Sequence, residues 1–170
     1  MKYKIFDLDN CISDDGWRIP RIDWRATNPD KRYDVYHQLA PFDMAKHLDV
    51  IRQVEGELII FTARPLSIRA STEEWLRRRD LVPKVMIMRN PGDHRGSTMI
   101  KESMLSELHW YDVDVKDVTA AFDDREDIVK MYRSHSIDAH LLAIHDKCAY
   151  TAPTTKEMNL WPLSQPLSHP

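Results

Sequence analysis

Short apolar segments that read as strands alternate with amphipathic stretches that read as helices along most of this chain. That alternation is the feature that most restricts its fold. Strands are predicted over residues 2–8 (KYKIFDL), 57–61 (ELIIF), 84–88 (KVMIM), 118–122 (VTAAF) and 139–143 (AHLLA). Helical patterns lie between them over 42–54, 67–79, 98–108 and 126–135, the second with Pro65 just before it and Ser67 as a cap. Strands and helices alternating at this spacing predict an α/β fold with a doubly wound parallel sheet. Such sheets bind ligands beyond the carboxyl ends of their strands, so the residues that follow each strand carry the functional information.

Two stretches depart from the pattern. Residues 13–41 interrupt the first strand-to-helix crossover and hold Trp17, Trp24, Tyr33 and Tyr36 together with five Arg/Lys. This is too long for an ordinary βα loop and reads as a lid or an irregular insertion, its aromatics either stacking on a base or packing onto the core. Residues 151–170 hold four of the ten prolines and read as a Pro-rich tail behind one domain over 1–150. A length of 170 residues suits one core, and a net charge of -3 with 42% hydrophobic residues excludes a disordered chain and a basic coat for duplex DNA. Only Cys11 and Cys148 are present, with no secretory segment and no uncharged apolar run near the roughly 20 residues of a membrane helix. A soluble protein of the reducing cytoplasm is expected. Charge is uneven: residues 62–105 carry a net of +4 and residues 106–146 a net of -6. A polarised site and solvated faces both account for this.

The strand ends are chemically specific. After the first strand, Asp7 and Asp9 fall on one face through the period of two. Two carboxylates there suit a Mg²⁺ ion, or a nucleophile beside a general acid/base; a solvated turn is the alternative. After the second strand, Thr62 offers a hydroxyl to a phosphate oxygen, or simply caps the next helix. Asp123 and Asp124 follow the buried fourth strand at once, which is costly unless a cation compensates them. Lys101, early in the third helical pattern, is placed to neutralise a phosphoryl group or a carboxylate.

Taken in order, Asp7/Asp9, Thr62, Lys101 and Asp123/Asp124 resemble the four motifs of the haloacid dehalogenase (HAD) superfamily. Response-regulator receivers use similar residues, but place their acceptor aspartate after the third strand, where this chain has Met86-Ile87-Met88-Arg89. A closer resemblance is to the 3′-phosphatase half of phage-type polynucleotide kinase/phosphatases. Its carriers are Arg89, Gly92-Asp93-His94-Arg95, Lys101-Glu102, Ala121-Phe122-Asp123-Asp124-Arg125, Val129-x-Met131-Tyr132-Arg133 and Glu74-Trp75-Leu76. Departures are Asn10-Cys11 where many relatives have Gly-Thr, Thr-Ala-Arg-Pro where they have Ser-Gly-Arg, and no phosphate loop of a kinase half.

The resemblance implies a HAD-like Rossmannoid fold with a small cap at about 13–41. It also implies a Mg²⁺-dependent phosphomonoesterase working through an aspartyl-phosphate on nucleic-acid 3′-phosphate ends or nucleotides. Asp7 would be the nucleophile and Asp9 the general acid/base, with Thr62 and Lys101 holding the phosphoryl group. Mg²⁺ would be held by Asp7, Asp9 (through its carbonyl), Asp123 and Asp124, and substrate by Arg64, Arg89, Asp93 and Arg95. Two jobs for Asp9 imply a pKa raised relative to that of Asp7. The phage-type likeness also admits a virus-encoded chain working in a host cytoplasm. The alternatives are a nucleoside 5′-monophosphatase and, from another class, a non-catalytic HAD-like interaction module.

Overall fold

A computed structural model describes residues 1–145; the Pro-rich tail and Cys148 lie outside the described residues. Strand β1 (Tyr3–Phe6) is buried at every position, because both of its faces are covered. A strand covered on both sides reads as a continuous apolar run rather than an alternation. Its neighbours are β4 (Glu57–Pro65) and β6 (Val118–Asp123), each parallel to it. With β5 (Val85–Arg89) and β7 (Asp138–Leu141) they form one parallel sheet in the order β5-β4-β1-β6-β7. The chain leaves β1 toward β4 and later returns to the opposite side of β1 as β6. The strand order therefore reverses beside β1, and that is where a crevice opens at the carboxyl ends.

Alternate strand residues feed two cores, as the doubly wound prediction requires. Ile5, Ile59, Phe61 and Ile87 pack on one side against α4 (Ser97–Glu107) and α5 (Glu126–Ser134), through Ile100, Met104, Leu105, Ile128, Val129 and Tyr132. Phe6, Ile60, Met86 and Phe122 pack on the other against α2 (Leu48–Gln53) and α3 (Arg69–Arg77), through Ile51, Trp75 and Leu76.

Three predicted boundaries move. The helix expected over 42–54 is helical only in α2. Met44 and Ala45 instead form a short strand, β3, antiparallel to β2 (Ser13–Asp14), and His47 turns left-handed with φ 53. Lys4 then closes the end of α2, its ammonium donating to the carbonyls of Ile51 at 2.5 Å and Val54 at 2.6 Å. Strand β4 runs past Phe61 to Pro65 because Thr62 still pairs with Met88 and Pro65 with Arg89. Thr62 is thus a strand residue and not a helix cap. Ser67 sits inside a 3₁₀ turn, Leu66–Ile68, and provides no side-chain cap to α3.

The 13–41 stretch is ordered. Between β2 and β3 it forms a 3₁₀ turn (Gly16–Arg21), the helix α1 (Pro29–Gln38) and a second 3₁₀ turn (Ala40–Phe42). Asn28 starts α1, its side chain accepting from the Asp30 amide at 2.9 Å, with Pro29 in the first turn where no amide donor is needed.

Candidate active site

Asp7 follows β1, Asp123 ends β6 and Asp124 follows it, so the register of β1 against β6 alone brings three carboxylates together. Each offers an oxygen within 4.8 Å of the others, and all three residues are buried. Asn10 holds this corner: its backbone is left-handed at φ 60, and its amide donates to Asp124 Oδ2 at 3.0 Å. Asparagine tolerates that left-handed conformation better than most side chains do.

One cation faces the cluster. Lys101 reaches in from α4, 2% exposed, with its Nζ 2.6 Å from Asp7 Oδ1 and 2.5 Å from Asp123 Oδ2. Burial opposes its charge, yet Asp123 and Asp7 hold the ammonium well above the ordinary lysine range. Three carboxylates outnumber the one buried ammonium among them, with Arg125 acting only from the exposed edge, so the buried site stays net negative. Burial accordingly pushes the carboxyls of Asp7 and Asp123 up, and that of Asp124 up to about 6 with Asp7 adding to the effect. A divalent cation with oxygen ligands matches both the donor set and the missing charge. Lys101 thus bridges the cluster's own carboxylates.

Asp9 lies apart from the cluster. Its Oδ1 accepts from Arg18 Nη2 at 2.6 Å and from Arg64 Nη2 and Nε at 2.6 and 2.8 Å. Both guanidiniums also turn to Asp43, a fully buried carboxylate that takes Ser13 Oγ at 2.6 Å and Trp17 Nε1 at 3.0 Å as well. The Asp43 carbonyl in turn accepts from Trp75 and Arg79 of the core, at 2.9 and 2.7 Å. Burial would raise the Asp9 carboxyl, but Arg18 and Arg64 more than offset it and hold it well below the usual carboxylate range. The Asp9 carboxylate stands outside the three-carboxylate cluster, and its proton affinity is lowered while that of Asp7 is raised, the reverse of the expected order.

Above these groups opens a cavity of about 900 Å³, lined by Asp7, Asp9, Thr62, Lys101 and Asp124. One wall is the segment from Ile22 to α1; the other is the turn from Arg89 to Ser97, and His94 meets Asp30 across the mouth at 3.8 Å. Of the predicted substrate residues, Arg89 and Arg95 line the cavity. Arg89 is steadied by the Ala63 carbonyl at 3.1 Å, and Arg95 pairs with Asp93 at 2.7 Å. Arg64 and Asp93 are absent from the lining. Arg64 is fully buried, its Nε and Nη2 bonded to Asp9, Ser13 and Asp43 and its Nη1 left without a hydrogen-bond partner, because β4 continues through it and turns it inward. The Asp93 carboxylate pairs with Arg95 and also acts electrostatically on Arg89. Thr62 is buried at the cavity floor and accepts from the Arg64 amide at 3.2 Å.

Residues 1–144 match the family model of the polynucleotide kinase PNKP phosphatase domain. The chain belongs to that family. Comparison with curated protein sequences returns no match. Among solved structures, a chain of the Pnkp1/Rnl/Hen1 RNA repair complex superposes with TM-score 0.59 at 22% identity, over 83% of this chain and 42% of its own. The haloacid dehalogenase-like hydrolase SP0104 from Streptococcus pneumoniae superposes with TM-score 0.58 at 9% identity, over 88% of this chain and 89% of its own. At these identities the likeness is one of fold: the five-stranded parallel sheet is that of HAD proteins. This chain spans less than half the length of the repair-complex chain.

Within this PNKP-type phosphatase domain, sequence reasoning missed Arg18, Asp43 and His37. Arg18 in the insertion and Asp43 at the head of the 42–54 pattern are charged residues, and charge ordinarily means solvent. His37 lines the cavity with its Nδ1 buried and unpartnered, and burial lowers its pKa to about 4. The only early signal was the unusual length of the insertion that carries Arg18 and His37.

Proposed function

We propose that this domain hydrolyses phosphate monoesters at nucleic-acid 3′ ends, in a Mg²⁺-dependent reaction through an aspartyl-phosphate on Asp7. The observation that supports it most is the placement of Asp7. It shares a buried three-carboxylate cluster with Asp123 and Asp124, yet lines the floor of a cavity rimmed by Arg89 and Arg95. An interaction module has no use for buried carboxylates in excess of their cations, which cost stability when uncompensated.

Asp7, Asp123 and Asp124 would hold the Mg²⁺ ion, which when bound neutralises the acidic cluster and phosphoryl oxygens beside it. An Asp7 carboxylate oxygen attacks phosphorus, and the bond from phosphorus to the ester oxygen breaks. Asp9 gives the leaving oxygen its proton. In the second half Asp9 takes a proton from water, whose oxygen attacks the phosphorus of the aspartyl-phosphate; inorganic phosphate leaves and Asp7 is regenerated. The guanidiniums keep Asp9 ionised in the free enzyme, the state that the water-activating half requires. A phosphate dianion drawn in beside Asp9 opposes Arg18 and Arg64 and raises its proton affinity for the first half. Thr62 and Lys101 line the same floor, and hold the phosphoryl group and Asp7 in place.

The test is phosphate release from 3′-phosphorylated oligonucleotides and from nucleoside 5′-monophosphates, with Mg²⁺ and with EDTA. Release from the 3′ ends that EDTA abolishes and Mg²⁺ restores is the expected result. Inert 3′ ends beside rapid hydrolysis of 5′-monophosphates would move the substrate to nucleotides; full activity in EDTA with no metal retained would remove the ion.

A further inference from the structure

A phosphoryl group fills only the floor of a 900 Å³ cavity, and the rest of its lining is not phosphate chemistry. The aromatic residues of the insertion divide in two. Trp17 is tied by its indole to Asp43, and Tyr36 is buried beneath Arg18, at 4.0 Å from guanidinium carbon to ring centroid, with its hydroxyl on Asp15. Those two pack the insertion onto the core. Trp24, Tyr33 and His37 line the cavity together with the buried Tyr36, and neither Trp24 nor Tyr33 is fully buried. They form a continuous wall: Tyr33 lies 6.0 Å from His37 along α1, and Trp24 lies 6.3 Å from Tyr33 in an edge-to-face arrangement.

The direction of this wall matters. His37 is its inner end, close enough to Asp9, Arg18 and Arg64 for each to act on its ring. Asp9 is the group that serves the leaving oxygen, so the alcohol that departs lies on this side of Asp7. Arg89 faces the wall from across the cavity, near enough to Tyr33 and Asp30 to feel both, its guanidinium held by the Ala63 carbonyl. Aromatic rings and a guanidinium lining one cavity are the groups that grip a nucleobase, by stacking and by cation–π attraction.

We propose that Trp24, Tyr33 and Arg89 form a slot for the base of the nucleotide whose phosphate is removed, with His37 closing its inner end. The slot rests on the phosphatase reading above and adds a base-dependent element to it. It takes any base, since each has a π face, and it gives no contact to an abasic end.

The experiment compares KM and kcat for 3′-phosphorylated oligonucleotides whose terminal residue carries a base or is abasic. Trp24→Ala and Tyr33→Ala should each raise KM for the base-bearing end about tenfold, the size of one lost stacking contact, with kcat nearly unchanged. Neither should alter KM for the abasic end, and Tyr33→Phe should keep the original value. A rise of the same size on both ends would overturn the slot and return these rings to packing. Binding supplies a second readout that does not depend on turnover. In the Asp7→Asn protein, a 3′-phosphorylated oligonucleotide should quench tryptophan fluorescence, the abasic form should not, and Trp24→Phe should remove the difference. If 3′ ends bind with base-dependent quenching but are not hydrolysed, the proposed reaction fails and the slot stands. If they are hydrolysed without base-dependent KM or quenching, the slot fails and the reaction stands.

Discussion

Asp43→Ala tests whether the insertion and the catalytic floor are one electrostatic unit. The Asp43 side chain is fully buried and accepts from Ser13, Trp17, Arg18 and Arg64. Its loss leaves two buried guanidiniums on the single carboxylate of Asp9, whose Oδ1 already carries both. Removing one partner of a buried ion pair costs about 3–5 kcal/mol, because the other charge stays behind unpaired. Arg18 keeps the Tyr36 carbonyl at 3.0 Å and Arg64 keeps Ser13 at 2.7 Å, which favours the lower end, about 3 kcal/mol. In a domain of this size each kcal/mol moves the melting temperature by about 2–4 °C, so a fall of about 6–12 °C is expected. Asp43→Asn keeps an acceptor oxygen without the charge and should fall between the variant and the parent. Thermal unfolding at neutral pH, followed by circular dichroism, measures both. A surface ion pair would be worth less than about 1 kcal/mol. A melting temperature within about 2 °C of the parent for Asp43→Ala would therefore refute the buried hub. Below the melting range, kcat should fall more than KM rises, since Asp9 loses its fixed orientation while the cavity walls remain.

Asp7→Asn should abolish turnover with the fold intact, because an amide is not a nucleophile; phosphate release at the parent rate would remove the assignment. Asp9→Asn should lose on the order of 10²–10⁴-fold on an alkyl phosphate and less on a nitrophenyl phosphate, whose leaving group needs no proton; equal losses on both would deny Asp9 the acid role. Lys101→Met should cut the rate at least tenfold and make the melting temperature depend more steeply on added Mg²⁺, because two carboxylates lose the ammonium that bridges them; an unchanged rate with a lower melting temperature would make Lys101 purely structural. Acid should weaken the fold through His37. Its folded pKa of about 4 lies below the unfolded value of about 6.5, so the unfolded chain binds the proton first and stability is lost as pH falls between those values. The ceiling is about 3 kcal/mol, and His37→Phe should flatten the melting temperature between pH 6.5 and pH 4.5; a parallel decline in both proteins would contradict the assignment.

What could be read from the sequence, and what could not, follows from how far apart the partners lie. The sheet was legible because strands covered on both faces, such as Tyr3–Phe6, are apolar without interruption. Asp7, Thr62 and Asp123 were legible as candidates because each is adjacent in sequence to such a strand. Helix α1 was not legible, since only Tyr36 of its residues is buried and no apolar stripe announces it; the Asn28-Pro29 start was its one signal. The end of the insertion was misread as helix because Met44 and Ala45 are made into a strand by Ser13 and Asp14, some thirty residues earlier. The charge imbalance of 62–105 was also only partly informative. Arg69, Arg77 and Arg78 are spent on Glu73 and Glu74 along the outer face of α3, so the local excess of bases overstates what reaches the cavity. The buried charges were the hardest to read. Arg18, Arg64, Asp9 and Asp43 each look like solvated residues when taken singly, and each charge is compensated only by the two opposite charges beside it. A chain that buries such a quartet directly beside its nucleophile couples the seating of the insertion to the state of Asp9. In the proposed reaction, a substrate seated against the insertion wall would therefore act, through Arg18, on the group proposed to give up and take back the proton.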